Sequence, residues 1–294
     1  MGAHHGIARA RPGPQGRTRC GGTTLCPDPW MGQCCTGTHC HLPRRSRMKL
    51  EDIFGKAPLF VHAHPDDETL HTGALLAACH NEGLRTTVVT ATRGERGEIV
   101  QGVIPLDSTV DELAAHREQE LALAVKTLGV DRHYWLGNVP ARKEGLSERR
   151  YADSGMVWID EGVAGPAENL EEGTLCSATI AEAAGDLAAL IEAIAPTGIV
   201  SYDSRGSYSH PDHIRTHEIA LKASEMTGVD FYEVASDVND PGFEHLELSQ
   251  YLDIVVDALS MYRSQLTVYP DHIEHVGGQR DDFSTAVGIR RYAG

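Results

Sequence analysis

The chain places two histidines and three acids inside seven residues, in the run Val61-His62-Ala63-His64-Pro65-Asp66-Asp67-Glu68. Grouping so much charge in one turn is costly unless a cation or a hydrogen-bond network compensates it. The adjacent carboxylates of Asp66 and Asp67 repel each other, and a divalent cation beside them removes that repulsion. His64 and Asp67 are three residues apart, so a tight turn at Pro65 lets both reach one ion. Histidine with carboxylate is an ordinary zinc donor set. Asp66 is then left free beside the ion's water. The competing reading is an acidic first helical turn that complements the positive end of the helix dipole. It accounts for one or two of the acids, but not for the two histidines before Pro65.

A second run, Tyr208-Ser209-His210-Pro211-Asp212-His213, repeats histidine and aspartate around a proline. His213 can supply a third ligand, with His210 and Tyr208 facing the same space. His217 follows His213 by four residues, and an i, i+4 histidine pair can itself hold zinc. A lone helical histidine is more commonly a packed or surface residue.

Both runs need rigid elements to bring them together. Strands are expected at Pro58–His62, Thr86–Thr92, Arg132–Leu136, Gly198–Tyr202 and Val229–Ala235. Helices are expected at Leu70–Glu82, Val110–Leu128, Thr179–Ala195, Asp212–Met226 and Gln250–Leu266, several ended by Gly or Pro. This alternation predicts an α/β domain with a mostly parallel sheet and helices on both faces. Ligands of such sheets sit beyond the carboxyl ends of the strands, where both runs fall. Residues 139–178 are rich in Gly and acids, break the alternation and read as an excursion over one edge of the site.

Composition divides the 294-residue chain near Met48. Residues 1–47 hold seven Arg and one acid, together with five of the seven cysteines. Cys20, Cys26, Cys34, Cys35, Cys40 and His41 could be read as a zinc knuckle, but their spacing does not match a paired C-x-x-C site. The segment reads instead as a disordered extension or a start-site artefact, with Met48 a natural start. Residues 48–294 carry a net charge of −22, which repels phosphate backbones and anionic membrane surfaces. Nucleic acid and membrane are therefore not expected partners. No apolar run is long enough for a membrane helix, and the N-terminus lacks the apolar region of a secretory signal. Sparse cysteine in the body suits a reducing cytoplasm. A homo-oligomer is compatible with all of this.

H-P-D-D-E after a first strand, followed by H-P-D-H after a later one, resembles the PIG-L/LmbE-like deacetylase family. The likeness runs over about residues 57–236. Gly94-Glu95-Arg96-Gly97 resembles the family's G-E-x-G segment, Arg117-Glu118 its R-x-x-E/R-E helix, and Asp153-Ser154-Gly155-Met156 the D-S-G-M loop of the mycothiol-type members. The resemblance implies a Rossmann-like fold and one Zn2+ per chain, with Fe2+ as the alternative metal, held by His64, Asp67 and His213. It gives Asp66 the general-base place, and His210 and Tyr208 the places that stabilise a tetrahedral intermediate. Asp212 is implied to orient His210, and Asp153, Arg96 and Glu95 to contact substrate. The implied reaction is hydrolysis of the N-acyl amide of a small amino-sugar conjugate. The alternative is an amidase acting on a thiol conjugate or another amide. The chain departs from the mycothiol-type pattern at Val103-Ile104-Pro105, which offers no basic side chain for a phosphate. A non-enzymatic nucleotide-binding module would want a glycine-rich phosphate loop where this chain has Pro65 and carboxylates.

Overall fold

The computed structural model describes residues 49–294, apart from residues 106, 161 and 168. The expected extension over residues 1–47 lies outside the described residues. In chain order the elements are α1 (Leu50–Phe54), β1 (Pro58–His62), α2 (Asp67–Asn81), β2 (Thr87–Thr90), α3 (Val110–Thr127), β3 (Arg132–Trp135), β4 (Met156–Asp160), β5 (Val163–Pro166), α4 (Ile180–Ile194), β6 (Gly198–Tyr202), α5 (Pro211–Thr227), β7 (Phe231–Val234), β8 (Glu244–Glu247), α6 (Leu252–Leu259), β9 (Leu266–Val268), β10 (Ile273–His275), β11 (Arg280–Asp281) and β12 (Ala286–Arg291).

The main sheet has the order β3-β2-β1-β6-β7-β12-β8. Its first five strands are parallel, and β12 runs antiparallel to both of its neighbours. Strands buried on both faces must be apolar at successive positions, and β1 and β6 are buried throughout. Alternate residues then serve opposite faces. Phe60, Val88 and Val200 pack with α1, α2, α3 and α6, whereas Leu59, Val61, Val89 and Ile199 pack with α4 and α5. The fold is thus the expected α/β architecture with helices on both faces. Strand order reverses between β1 and β6, and such a switch point is where an open α/β sheet leaves a crevice.

Two elements depart from expectation in ways that matter for the site. Helix α2 begins at Asp67 rather than Leu70, so the first acidic run is itself the first helical turn. The long helix expected over Gln250–Leu266 is only Leu252–Leu259, after a 3₁₀ turn at Ser249–Tyr251. Side-chain partners account for the early stop. Tyr262 turns inward and donates to Glu68 Oε1 (2.5 Å), and Ser264 donates its N–H and O–H to the two Glu120 oxygens (2.7 and 2.6 Å). The chain then enters β9 at Leu266.

The excursion over 139–178 carries the β4–β5 hairpin. It is tied to the second histidine run by Ala164 N–H to the Tyr208 carbonyl (2.9 Å) and by Ser154 N–H to Asp212 Oδ2 (2.9 Å). Among the described residues, no helix is long and apolar enough to cross a membrane.

Candidate metal centre and active site

The first turn leaves β1 at His62 and enters α2 at Asp67. Between them Asp66 has φ 104°, a left-handed backbone that aspartate and asparagine tolerate better than most residues. Holding a side chain there costs about 1–3 kcal/mol and marks a residue whose position is over-determined. Asp67 is nearly fully buried, and its two oxygens have different surroundings. Oδ2 accepts the His64 N–H (2.8 Å) and the Tyr202 O–H (2.7 Å). Oδ1 lies 3.2 Å from His213 Nε2 and 3.6 Å from His71 Nε2. His64 presents Nδ1 to Asp67 Oδ2 at 3.2 Å and Nε2 to Asp212 Oδ2 at 3.2 Å. A carboxylate only accepts, so in the neutral ring Asp212 makes Nε2 the donor and leaves the Nδ1 lone pair as the one a metal would take. His62 faces the interior, bonded to Thr72 Oγ1 (3.0 Å).

The second turn leaves β6 at Tyr202 and enters α5 at Pro211, with proline at the first helical position, where its missing N–H is not needed. His210 caps this helix by accepting the Asp212 N–H at Nδ1 (3.1 Å). The neutral ring must then carry its proton on Nε2. This corrects the role expected of Asp212. Its backbone orients His210, while its carboxylate binds His64, Ser154 N–H and Cys176 Sγ. Tyr208 sits between Ser207 (φ 61°) and Ser209 (φ 68°), its ring 5.3 Å from that of His213.

His213 is fully buried, and neither ring nitrogen has a hydrogen-bond partner. Its ring stacks on Tyr202 at 4.4 Å and 6°. Nε2 is close to Asp67 Oδ1 without hydrogen-bonding geometry, so the two lone pairs face one space. His217 is turned away from that space, with Nδ1 on the Tyr202 carbonyl (2.9 Å).

Among the described residues, three overlapping sets of donors each lie within 4.8 Å of one another: His64, His210 and His213; Asp67, His71 and His213; and His64, Asp153 and Asp212. Zinc bonds of about 2.0–2.2 Å at tetrahedral angles set donors about 3.3–3.5 Å apart. The spacings from Asp67 Oδ1 to His213 and His71, 3.2 and 3.6 Å, bracket that range, and the orphaned nitrogens of His213 supply lone pairs. These residues fit a divalent cation.

Electrostatics separates the two adjacent aspartates. Burial, then Asp67 and Glu68, pushes the Asp66 carboxyl well above the usual range. Asp67 is buried as well, but His213, His64 and His71 more than offset that and hold it well below the range. Burial, reinforced by His64 and His213, lowers His210 to about 2, so its ring is neutral. Burial also raises Glu68 to about 7, and Glu68 Oε2 accepts the Asp66 N–H (3.3 Å).

Asp66, Asp67 and His210 line a cleft of about 1410 Å³ whose walls also include His64 and Tyr208. Asp153 and Arg96 also line it, and Arg96 pairs with Glu171. Glu95 does not reach the cleft. Its oxygens take the Arg150 guanidinium (2.8 Å), Arg93 N–H (3.2 Å) and Asp153 N–H (3.1 Å), so it fixes the Asp153 loop. His71 and Tyr202 belong to the constellation but were not singled out from sequence.

The Gly94–Gly97 segment has its own physical reason. Arg117, buried in α3, donates to the Gly94 and Glu98 carbonyls, and a Cβ at Gly97 would collide with its guanidinium. Gly97→Ala is expected to destabilise by about 1–3 kcal/mol, the range for overpacking. Gly185→Ala, in α4 with only the Lys143 side chain near, should be neutral or stabilising by up to about 1 kcal/mol. Denaturant unfolding of the two variants checks the contrast, and equal stabilities would contradict it.

The family model described as "PIG-L: GlcNAc-PI de-N-acetylase" matches residues 59–224. A 1D-myo-inositol 2-acetamido-2-deoxy-α-D-glucopyranoside deacetylase of Kineococcus radiotolerans is 40% identical over 173 residues, 58% of this chain and 45% of the relative. A protein of the same description from a Nocardioides species is 39% identical over 181 residues, 61% and 57% of the two chains. The chain thus spans about half the length of the curated relatives it matches. Among solved structures, an N,N'-diacetylchitobiose deacetylase from Pyrococcus horikoshii aligns with TM-score 0.51 and 19% identity, over 71% of this chain and 70% of that one. The zinc-inhibited form of a teicoplanin deacetylase aligns with TM-score 0.52 and 19% identity, over 81% and 99%. At such identities these two likenesses show the fold alone.

Proposed function

The chain belongs to the PIG-L family of GlcNAc-PI de-N-acetylases, and on that premise we propose that it hydrolyses the N-acetyl amide of an amino-sugar conjugate, using one zinc ion held by His64, Asp67 and His213. The observation that carries this reading is the pairing of orphaned His213 nitrogens with a free Asp67 oxygen beside a second, proton-accepting aspartate. When bound, such a cation polarises the amide carbonyl and makes water a nucleophile near neutral pH.

The chain's own residues do the rest. Asp66 takes the proton of the attacking water as its oxygen bonds to the amide carbon. Its raised affinity for protons suits that task. His210 donates Nε2–H to the developing oxyanion, and the Tyr208 hydroxyl is a second donor from the same turn. The C–N bond then breaks, and Asp66 returns its proton to the leaving amine. His210 is the poorer proton donor here, because giving up Nε2–H while Nδ1 remains a lone pair would leave an imidazolate. The products are acetate and a free amine.

The substrate side of the cleft supports a neutral sugar. Trp158, half exposed on β4 and 5.8 Å from Tyr208, offers a flat apolar face to a sugar ring. Val103-Ile104-Pro105 brings no basic group for a phosphate. Amine release from a panel of N-acetylglucosamine conjugates, with metal analysis and chelator controls, tests the proposal. Stoichiometric metal and chelator-sensitive turnover are expected, and turnover indifferent to chelator would overturn it. His210→Ala should lower kcat by about 10²–10³, the cost of one oxyanion donor, with metal content unchanged.

A further inference from the structure

The metal pocket holds one more candidate ligand than the two histidine–proline turns suggest. His71 lies one helical turn after Asp67 on α2, and the two side chains share a face. Its Nε2 is 3.6 Å from Asp67 Oδ1, the oxygen left free by the His64 and Tyr202 hydrogen bonds. That nitrogen is buried and has no hydrogen-bond partner. The ring is fixed edge-on between Tyr202 (5.6 Å) and His213 (5.7 Å). Asp67, His71 and His213 by themselves form a complete three-donor set. A buried imidazole nitrogen aimed at a free carboxylate oxygen, beside a second unpartnered imidazole, is otherwise an unrelieved cost.

We propose that His71 is a further protein ligand of the cation, binding through Nε2 on the His213 side of Asp67, opposite His64. One Asp67 carboxylate is then met by three imidazoles, at 3.2, 3.2 and 3.6 Å. Four protein donors plus water make a five-coordinate sphere, which zinc accepts and which cobalt, nickel and ferrous ions also suit. This rests on the cation reading above, and the experiment separates the two.

Wild type and His71→Ala are titrated with Zn2+ against a chromophoric chelator, and with Co2+ while the visible spectrum is followed. Wild type should take up one equivalent of each metal. His71→Ala should bind zinc at least ~10-fold more weakly, as expected when a donor is lost. Its cobalt bands should intensify as the sphere contracts towards tetrahedral. Zinc affinity within about twofold of wild type, with an unchanged cobalt spectrum, would overturn the role of His71 and leave the cation reading standing. No stoichiometric uptake by wild type would overturn both. Should His71→Ala fold poorly, His71→Asn keeps a polar group at the same helical position, and the same two titrations decide.

Discussion

Asp66→Asn is expected to lower kcat by about 10²–10⁴, the usual contribution of a positioned general base, and at the same time to make the metal-free protein more stable. Asparagine is the informative replacement, because the backbone at Asp66 has φ 104° and asparagine accepts that conformation where alanine would be strained. The fold and the metal donors stay in place, so the loss of rate reports the proton acceptor alone. The stability gain follows from the direction of the Asp66 shift. Burial and the neighbouring Asp67 and Glu68 raise its pKa in the folded state. A carboxyl raised in this way is accommodated below its unfolded pKa of about 3.9, and its stabilising contribution is lost as pH rises through the folded value. At neutral pH the ionised group is therefore a net cost in the metal-free fold. Asparagine never bears that charge, so the variant's advantage in melting temperature should be absent near pH 3 and grow above it. A rate within about tenfold of wild type would remove Asp66 from the mechanism, and a lower melting temperature at neutral pH would contradict the electrostatic account.

How the site was legible follows from how it is built. His64, Asp66 and Asp67 are consecutive or nearly so, and His210, Asp212 and His213 repeat the theme. Buried charge concentrated in two short turns is visible in sequence because so few structural roles would tolerate it. The parallel strands were visible too, since β1 and β6 are apolar at nearly every position. His71 was hidden by a boundary. With α2 read from Leu70, Asp67 fell outside the helix and its i, i+4 relation to His71 carried no meaning. Tyr202 was hidden because it closes an apolar strand and reads as core. Its hydroxyl role depends on Asp67, which lies 135 residues away in the chain. The small C-terminal strands left little trace. β8 is Glu-His-Leu-Glu at the sheet edge and largely exposed, and β11 has two residues, so neither needs a hydrophobic pattern. The C-terminal end of α6 is set by Tyr262 and Ser264 finding Glu68 and Glu120, which no local periodicity records.

Asp67→Asn should abolish metal binding while leaving the chain folded, and the reason lies in the hydrogen bonds that Asp67 already makes. His64 N–H and Tyr202 O–H both require an acceptor at the Oδ2 position. The asparagine carbonyl must take that place, which sends its NH2 to the Oδ1 position facing His213 and His71. Two N–H groups then point where a cation needs a lone pair, and they satisfy the imidazole nitrogens that were unpartnered. The variant therefore exchanges a metal site for hydrogen bonds, and its metal-free form should stay folded but melt somewhat lower than wild type at neutral pH, because the ionised carboxylate that His213, His64 and His71 favour is lost. Asp212→Asn is the matched control. A carbonyl at its Oδ2 position keeps Ser154 N–H and His64 Nε2–H bonded, and loses the charge behind His64 together with the bond that Oδ1 accepts from Cys176 Sγ. Zinc affinity should fall about 10–100-fold in that outer-shell variant, and by more than 100-fold in Asp67→Asn. Competition with a chromophoric chelator reads both. Equal losses would mean that Asp67 supports the site from outside rather than holding the ion, and zinc binding by Asp67→Asn within tenfold of wild type would remove it from the ligand set.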